Sequence, residues 1–360
     1  MVQDLEFMKL ALDAASKGWP RVVPNPMVGC VITKNGNVIS IGHHEIFGGP
    51  HAEVVAVNKM PGNILPSDCT LYVTLEPCTH FGKTPPCVDL LIEKGFKKVV
   101  VATTDPNPLV AGKGIEKLRN AGIEVVTGIL EKEAIDLNRR FFTFHSQGRP
   151  YIILKWAITS DGFVSRDPAP ADRSQNLITR NDAQQFVHEL RATSQGIMVG
   201  KNTVKIDDPA LTTRLVEGKN PTRIVLDKNL ELSTSLQVFN TDAATVIYNR
   251  LKDEEVKNVV FKKLDFEQDI LNSVLSDLHL KGIQTLLVEG GPKLLESFLA
   301  ADVWDEAFVF QNPDLRFEKG LKGPVFPLKN SFELIGQDKL FHHFKQETLP
   351  AKGPLSREIF

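Results

Sequence analysis

The sequence predicts an α/β protein that is divided into two domains. Three features of the chain lead to this prediction: its length of 360 residues, an alternation of β-rich runs with helical stretches, and the break Gly148-Arg149-Pro150. A single hydrophobic core rarely serves a chain longer than about 250–300 residues, so the length favours two cores. Glycine and proline interrupt regular structure, and we expect a linker at the break. The predicted domains are residues 1–146 and 147–360.

The first domain is predicted to begin with a helix and a β-hairpin. Residues 4–17 place apolar side chains at helical spacing between charged ones, which is typical of an amphipathic helix and not of a signal peptide. Residues 28–40 alternate in polarity and break at Asn35-Gly36, the strongest short-range signal for a hairpin. Further β-rich runs lie at 71–75, 98–102 and 123–126, and helical stretches lie between them at 87–94 and 111–120. This alternation predicts a layered α/β sheet with functional groups at strand ends and helix starts.

The second domain is predicted to consist mainly of βαβ-type units. Strand-like runs lie at 151–157, 196–199, 223–226, 245–248, 258–261 and 285–288, and helical patterns lie at 181–192, 268–280 and 292–300. The G-x-G-x-x-G fingerprint of dinucleotide-binding folds is absent from the sequence. Instead, Gly290-Gly291 separates a strand from a helix led by Pro292, so that backbone N–H groups can approach a phosphate at the positive helix end. A tight turn without a ligand is the alternative interpretation.

The composition excludes several classes of partner. The chain has 42% hydrophobic and 24% charged residues, and its formal net charge is −2. Charges of both signs are spread along the sequence, so no overall positive field would recruit nucleic acid. No apolar run is long enough to span a membrane. We therefore expect neither nucleic acid nor a membrane as a partner, and any phosphate on a substrate must be bound by local groups.

The cysteines point to a reducing compartment and to a metal. Cys30, Cys69, Cys78 and Cys87 are too few and too unevenly spaced for a disulfide framework, so we expect a cytoplasmic protein. Cys78 and Cys87, together with His51, form the donor set of a catalytic zinc site. Three ligands leave one tetrahedral position open, and zinc lowers the pKa of a water bound there to roughly 7. Glu53, two residues after His51, is then free to move protons.

Helix start signals stand directly before two of these donors. Gly49-Pro50 precedes His51, and Pro85-Pro86 precedes Cys87, so both donors are predicted to open helices. The positive ends of the two helices would face the metal and would favour the thiolate form of Cys87. The sequence thus predicts two helix starts that converge on one ion.

Each part of the zinc pattern also has a simple structural interpretation. A pair of cysteines is often buried apolar filling, and His-x-Glu occurs by chance in many helices. Together they follow the zinc-deaminase pattern of His-x-Glu and Pro-Cys-x-x-Cys, except that eight residues separate Cys78 from Cys87. The same zinc site is compatible with two other functions. One is a deaminase that acts on tRNA or single-stranded DNA, which should show basic patches with interleaved aromatics. The other is a non-catalytic zinc-binding protein, in which Glu53 would be dispensable.

The segment 77–87, PCTHFGKTPPC, resembles the expanded cysteine loop of the bifunctional riboflavin-biosynthesis deaminase/reductase family. The stretches 24–29, 42–43, 105–108 and 111–114 are similar to that family in order and spacing. The resemblance implies a cytidine-deaminase-like three-layer α/β domain followed by a dihydrofolate-reductase-like α/β domain. It also implies one Zn²⁺ per chain, NADPH, and a homo-oligomer, either a dimer or a tetramer.

The second half carries the same resemblance at residues 155–162, 200–214 and 289–291. The implied function has two steps. The first is zinc-hydroxide deamination of 2,5-diamino-6-(5-phosphoribosylamino)pyrimidin-4(3H)-one to 5-amino-6-(5-phosphoribosylamino)uracil. The second is NADPH-dependent reduction of the ribosyl group to a ribityl phosphate chain. The substrate is therefore expected to be a phosphorylated pyrimidine.

The resemblance, together with the positions of residues beside predicted strands and beside Cys87, gives candidate site residues in both halves. Those for the cofactor are Ile158, Leu177, Thr203, Asp207, Gly290, Gly291, Pro292 and Lys293, and those for the substrate are Asn25, His43, His80, Lys83, Thr84, Lys155, Ser174, Arg191, Leu211, Arg214 and Glu289. Without the resemblance, Lys83, Arg191 and Arg214 would be interpreted as solvated surface charges. Leu177 stands where the family commonly has a tryptophan. Lys155 and Asp161 are the ionisable groups near the floor of the second pocket, and the sequence leaves the proton donor open.

Overall fold

The computed structural model describes residues 2–79, 85–108, 110–168, 170 and 172–345, with Arg173 and Ser174 described by their backbone alone. These residues form two compact units. The first unit ends at Gln147, and the second begins at Gly148. Each unit has its own sheet and its own hydrophobic clusters.

The helices are shared between the two units. They are α1 (Val2–Ser16), α2 (Ala52–Asn58), α3 (Cys87–Lys94), α4 (Lys113–Asn120), α5 (Glu131–Leu137), α6 (Arg139–Gln147), α7 (Asn181–Ala192), α8 (Lys201–Asp207), α9 (Ile270–Leu280) and α10 (Pro292–Ala300). Among the residues that the structure describes, no helix combines the length and apolar character that a membrane span requires.

The strands follow the same division. Those of the first unit are β1 (Gly29–Lys34), β2 (Asn37–His43), β3 (Thr70–Val73), β4 (Lys98–Val101) and β5 (Glu124–Thr127). Those of the second unit are β6 (Tyr151–Thr159), β7 (Phe163–Arg166), β8 (Gly196–Gly200), β9 (Thr222–Leu226), β10 (Thr245–Asn249), β11 (Glu254–Val256), β12 (Val259–Lys263), β13 (Thr285–Val288), β14 (Glu306–Asn312), β15 (Gly320–Lys322), β16 (Glu333–Ile335) and β17 (Asp338–Phe344).

The first unit has three layers around a sheet of order β2-β1-β3-β4-β5. Strands β1 and β2 form the predicted hairpin, with Asn35 and Gly36 at φ values of 51° and 76°, the left-handed region that such a turn needs. Strands β3, β4 and β5 are parallel. Helices α1 and α5 pack on one face of the sheet, and α2, α3 and α4 pack on the other. The three-layer prediction is confirmed.

The second unit is built on a sheet of order β11-β12-β10-β9-β8-β13-β6-β14-β17-β16. Its central strands β9, β8, β13, β6 and β14 are parallel, and α7 and α8 cover one face while α9 and α10 cover the other. The carboxyl ends of parallel strands meet at one edge, where ligands bind in open α/β sheets. The loops after β8 and β13 therefore open at the same edge of the sheet.

The sequence located the helices better than the last strands. Helices α7 and α10 coincide with the predicted ranges 181–192 and 292–300. Helix α8 and strands β14 to β17 were not predicted. The edge strands β15 and β16 have three residues each, which is too short for a period-two pattern to stand out.

A candidate zinc centre and a second polar site

Three potential metal ligands from separate elements lie together in the first unit. His51 stands at the N-cap of α2, Cys78 follows β3, and Cys87 is the first residue of α3. The Nδ1 atom of His51 lies 3.5 Å from Sγ of Cys78 and 3.3 Å from Sγ of Cys87, and the three ligand atoms all lie within 4.8 Å of one another. Around a tetrahedral zinc with bonds of about 2.0–2.3 Å, ligand atoms are expected roughly 3.5 Å apart. The donor set and its spacing fit one zinc ion.

The start of α3 fixes the sulfur atom of Cys78. The N–H of Cys87 donates to this Sγ at 3.4 Å, and the N–H of Val88 donates to the carbonyl oxygen of Cys78 at 3.2 Å. N–H groups in the first turn of a helix have no acceptor within the helix, so they are available to such a ligand. The positive end of α3 therefore faces the zinc ligands, as the proline pair predicted.

A hydrogen bond links the sulfur atoms of Cys78 and Cys87. A hydrogen bond from the Cys87 thiol, together with that from His51, lowers the pKa of Cys78 to about 4. The pKa of Cys87 is raised because its thiol donates to Cys78 and is buried. The sequence led us to expect the thiolate at Cys87. Both cysteines bind a zinc ion as thiolates, so the expectation for Cys87 stays a prediction.

Glu53 lies beside the ligands without belonging to the group that could hold the metal. It occupies the first turn of α2 and is 3% exposed. Within the described ranges, the cluster that could bind an ion consists of His51, Cys78 and Cys87 alone. Burial, with the nearby charge of Cys78, raises the pKa of Glu53 to about 6. A carboxyl with a pKa near neutrality can both accept and release a proton at working pH.

His44, which the sequence did not single out, connects the metal ligands to Asn25. Its Nδ1 lies 2.9 Å from the carbonyl oxygen of Pro50, and its Nε2 lies 3.1 Å from Nδ2 of Asn25. Since a carbonyl oxygen can only accept, Nδ1 carries the proton and Nε2 accepts from the amide of Asn25. Burial lowers the pKa of His44, which keeps the ring neutral. The ring also packs edge-on against His51, with centroids 5.8 Å apart.

His43, the neighbouring candidate, lies at the end of β2. Burial lowers the pKa of His43. The charges of Lys59 and Lys17 also lower it, whereas that of Glu45 raises it. The substrate role expected of His43 stays a prediction. The structure offers His44 as a second candidate, because it orients Asn25 and supports the turn before His51.

The two histidines can be compared by replacing each with alanine. We expect His44→Ala to lower kcat/KM for deamination by about 10-fold or more, since a buried polar group left without its partner costs roughly 1–3 kcal/mol. His43→Ala should cause a smaller loss. Steady-state assays of ammonia release on both variants give the comparison, and a larger loss in His43→Ala would favour the sequence-based choice.

Several predicted substrate residues cannot be placed. His80, Lys83 and Thr84, in the expanded cysteine loop, lie outside the described residues. Ser174 belongs to a short helical turn, Arg173–Asn176, and its side chain lies outside the description as well. Their roles remain predictions.

A buried ion-pair network lies at the carboxyl ends of the central strands in the second unit. Arg191, at the end of α7, donates from Nε and Nη2 to the two carboxylate oxygens of Glu289 at 2.7 and 2.9 Å. Nζ of Lys155, on β6, lies 3.8 Å from Oε2 of the same carboxylate. The three side chains are between 10% and 13% exposed. Arg191 is therefore a buried partner of Glu289 and not a solvated surface charge.

The charges of this network determine its protonation. Burial alone would raise the pKa of Glu289, but the positive charges of Arg191 and Lys155 outweigh it and hold the value at about 2. Burial lowers the pKa of Lys155, and Glu289 partly offsets this effect. Burial, with the charges of Arg191 and Arg214, lowers the pKa of His188 to about 4, so this ring is neutral at pH 7. Cations outnumber carboxylates here, which suits an anionic substrate.

Arg214 is joined to the network through its neighbours. Its backbone N–H donates to Nδ1 of His188 at 2.9 Å, and its Nη1 donates to the hydroxyl of Thr212 at 3.0 Å. Arg191 donates from Nη1 to the carbonyl oxygen of Thr212 at 3.2 Å. Leu211 is buried and has a φ of 53°, a left-handed conformation that is uncommon for leucine. The structure thus brings predicted substrate residues from separate segments together.

The two-glycine turn lies where two helices begin. Helices α8 and α10 follow the neighbouring parallel strands β8 and β13, and the N–H of Gly291 donates to the hydroxyl of Thr203 in α8 at 3.1 Å. Pro292 is the first residue of α10. A Cβ at Gly290 would lie 2.6 Å from the side chain of Leu294, so the turn needs glycine there. Backbone N–H groups at two helix starts fit the phosphates of NADPH.

The other cofactor candidates differ in exposure. Asp207 ends α8 and Lys293 lies in the first turn of α10, and both are exposed. Ile158, on β6, is buried in the core. Leu177 is 56% exposed and presents an apolar side chain to solvent. These cofactor roles stay predictions.

Asp161 holds a loop together. Its carboxylate accepts from the hydroxyl of Thr159 at 2.5 Å and from the N–H groups of Glu318 and Phe317 at 2.9 and 3.3 Å. The hydrogen bond from Thr159 and those from the loop lower the pKa of Asp161 to about 2. A carboxylate that is ionised at pH 7 and engaged in this way is poorly suited to donate a proton to a substrate.

Family models match both units. The model for the cytidine and deoxycytidylate deaminase zinc-binding region matches residues 1–103, and the model for the RibD C-terminal domain matches residues 150–315. The riboflavin biosynthesis protein RibD of Aquifex aeolicus is 45% identical over 325 residues, which cover 88% of this chain and 88% of that protein. Its counterpart from Actinobacillus pleuropneumoniae is 39% identical over 362 residues, which cover 94% and 95%.

Solved structures agree with these matches. The diaminohydroxyphosphoribosylaminopyrimidine deaminase/5-amino-6-(5-phosphoribosylamino)uracil reductase of Thermotoga maritima has a TM-score of 0.79 at 38% identity, covering 95% of this chain and 98% of that one. RibD of Acinetobacter baumannii has a TM-score of 0.81 at 33% identity, covering 95% and 99%. The fold of both units is therefore shared with this group of proteins.

Proposed function

The chain belongs to the family of bifunctional riboflavin-biosynthesis deaminase/reductases, and we propose that Glu53 and the ligands His51, Cys78 and Cys87 carry its deamination step. The protein is an enzyme with two activities, and it uses zinc and NADPH. It deaminates 2,5-diamino-6-(5-phosphoribosylamino)pyrimidin-4(3H)-one to 5-amino-6-(5-phosphoribosylamino)uracil, and it reduces the ribosyl group to a ribityl phosphate chain. Small molecules are thus its substrates.

The arrangement around Glu53 supports its role in proton transfer. Zinc, when bound, lowers the pKa of a coordinated water. Glu53 lies two residues from His51 and is buried next to Cys78 and Cys87, where it can take a proton from water. Addition of water at C2 of the pyrimidine then requires one proton at the ring nitrogen and one at the amino group, which leaves as ammonia. Glu53 can deliver the first proton to the ring nitrogen, take the second from the hydroxyl added at C2 and pass it to the amino group, because its pKa of about 6 lies near neutrality.

The polar network of the second unit supports the assignment of the reductase site. NADPH, when bound, supplies the hydride that reduces C1 of the opened ribose. Thr203 and the Gly290-Gly291 turn would hold its phosphates, since they join two helix starts. Arg191 and Arg214, fixed through Thr212, would bind the substrate phosphate. The role of these groups is to orient the two reactants.

A single observation carries the deaminase proposal: three soft or borderline donors at zinc spacing, with one buried carboxylate beside them that is not part of the donor group. A purely structural zinc site has four protein ligands, whereas a catalytic one has three and an open position. The neutral charge balance and the reductase unit disfavour a nucleic-acid deaminase.

Removal of zinc tests this proposal. Dialysis against a strong zinc chelator is expected to abolish ammonia release and to leave NADPH oxidation on deaminated substrate unchanged, because the two sites have separate ligands. Adding back one equivalent of Zn²⁺ should restore deamination. Ammonia release that persists in zinc-free protein, as checked by metal analysis, would contradict the proposal.

We also propose a domain boundary at residues 146–147, giving a deaminase domain at 1–146 and a reductase domain at 147–360. The family matches lie on either side of this point.

We further propose a cytoplasmic homo-oligomer, a dimer or a tetramer. Its four cysteines are free, as in a reducing compartment, and the edge strand β16 directly follows the exposed apolar residue Phe332. Sedimentation as a monomer alone would reject the oligomer.

A further inference from the structure

Glu76 is a buried carboxylate in the first unit that the zinc chemistry does not use. It lies two residues before the ligand Cys78 and is 3% exposed. The chain between β4 and α4 wraps around its side chain. This segment includes residues 105–108 and 111–114, which the sequence marked as a family-like motif without giving them a role.

Four backbone N–H groups converge on this one carboxylate. Oε1 accepts from Gly114 at 2.8 Å and from Ile115 at 3.2 Å. Oε2 accepts from Gly112 at 2.9 Å and from Asp105 at 3.1 Å. Hydrogen bonds from N–H groups to an ionised acceptor are roughly twice as strong as neutral ones. The carboxylate therefore fixes Asp105 and the start of α4 relative to the end of β3.

The same contacts cap helix α4 from outside. Its N-cap residue is Gly112, which has no side chain to accept from the first turn. N–H groups of a first turn need external acceptors, and a negative charge at a helix N-terminus is stabilising. Glu76 supplies both from a position 36 to 39 residues earlier in the chain. Helix α4 is thereby tied to the strand end that leads into the zinc site.

The start of α4 also touches the backbone between Glu76 and Cys78. A Cβ at Gly114 would lie 2.3 Å from the carbonyl oxygen of Pro77, so the two backbones are in close contact. On its other side, Cys78 is held by α3, whose Val88 N–H donates to the Cys78 carbonyl oxygen. The zinc ligand is thus fixed between two helix starts. Only one of these, α3, contributes a ligand of its own.

We propose that Glu76 is a positioning residue for deamination: by binding the N–H groups at the start of α4, it holds Pro77 and Cys78 where the Cys78 sulfur can bind zinc. The inference rests on the proposed function of the zinc site. It assigns residues 105–108 and 111–114 the role of a rigid support for Cys78. A residue that only stabilised α4 would change the unfolding of the unit and would leave the metal environment as it is.

The test compares Glu76→Gln with Glu116→Gln in the full-length protein. Both variants remove one carboxylate near the start of α4, but Glu116 is exposed and makes none of these contacts. Glu76→Gln keeps the shape of the side chain but replaces one acceptor oxygen with an NH2 group. This donor would face backbone N–H groups, which are donors as well. Zinc release to a chromogenic chelator should be about 10–100-fold faster in Glu76→Gln, the usual effect of losing a group that supports a metal ligand.

A spectroscopic readout separates positioning from stability. In cobalt(II)-substituted protein, the thiolate-to-metal charge-transfer band reports the geometry of Cys78 and Cys87 directly. We expect this band to shift or weaken in Glu76→Gln and to stay unchanged in Glu116→Gln. The kcat for ammonia release should also fall in Glu76→Gln. NADPH oxidation by the same preparation serves as the internal control, because it belongs to the other unit.

Gly114→Ala provides a second variant that leaves the carboxylate in place. Alanine favours helices more than glycine does, yet its Cβ would press on the Pro77 carbonyl oxygen. We expect the same change in the cobalt band and faster zinc release. Agreement of the two variants supports a role in holding the ligand.

The outcomes are distinct. If zinc release and the cobalt band of Glu76→Gln match those of Glu116→Gln, the proposal is overturned. It is also overturned if the first unit of Glu76→Gln no longer unfolds cooperatively while Gly114→Ala keeps the wild-type cobalt band, since the role is then structural only. Failure of the wild-type protein to bind cobalt or zinc at all would instead refute the proposed function of the site.

Discussion

Replacement of Glu53 by glutamine is expected to lower kcat for ammonia release by about 10²–10⁴-fold, the usual contribution of a general acid–base residue, with one zinc still bound per chain. Glutamine has the same shape but cannot take a proton from water or deliver it to the leaving amine. The ligand atoms of His51, Cys78 and Cys87 are unaffected, since Glu53 lies outside the donor group. Ammonia release and the ratio of zinc to protein are the two measurements.

The matched control is Glu93→Gln, which removes an exposed carboxylate from α3 in the same unit. It should keep wild-type activity and zinc content. NADPH oxidation should be the same in both variants. If Glu53→Gln retains wild-type turnover with zinc bound, the site is not catalytic. If it loses zinc along with activity, Glu53 belongs to the metal site, and its role as a proton carrier is not supported.

The zinc donors could be predicted because their signals are local. Gly49-Pro50 before His51 and Pro85-Pro86 before Cys87 mark two helix starts, and the structure begins α2 and α3 at those points. Helix starts depend on a few neighbouring residues, so a single sequence reveals them. The same holds for Asn35-Gly36, whose turn chemistry alone fixes the hairpin between β1 and β2.

The choice between His43 and His44 could not be made from the sequence. Adjacent residues of a strand point to opposite faces, so the choice depends on the register of β2 against β1. That register shifts at Ile32/Thr33, where the ladder is irregular. Such an irregularity changes which face a side chain takes, and the sequence carries no clear sign of it.

Contacts between residues far apart in the sequence could not be predicted either. Arg191 and Glu289 are 98 residues apart, and a local pattern shows neither that they meet nor that Lys155 joins them. The contacts of Glu76 could not be predicted for another reason. Its partners are backbone N–H groups, which every residue except proline has, so no side-chain pattern reveals the contact.

Replacement of Glu289 by glutamine is expected to destabilise the second unit by about 3–5 kcal/mol, the usual cost of removing one partner from a buried ion pair. Arg191 and Lys155 would remain as two buried cations with no carboxylate between them. The pKa of Glu289 in the folded protein, about 2, lies below the ordinary value of 4.5 for a glutamate. Its contribution to stability is therefore present above about pH 4.5 and is lost as the pH falls towards 2. Urea unfolding followed by the fluorescence of Trp156 and Trp304 measures both effects.

Two comparisons decide whether the loss comes from uncompensated charge. Glu296→Gln removes an exposed carboxylate from α10 and should change stability little. The double variant Arg191→Met, Glu289→Gln should be more stable than Glu289→Gln alone, since it leaves one buried cation, Lys155, without a carboxylate instead of two. Equal stability of Glu289→Gln and Glu296→Gln would contradict a buried network. If the double variant were the less stable one, the loss of stability would come from packing around Arg191. Removing one of the two unpaired cations must relieve a charge effect.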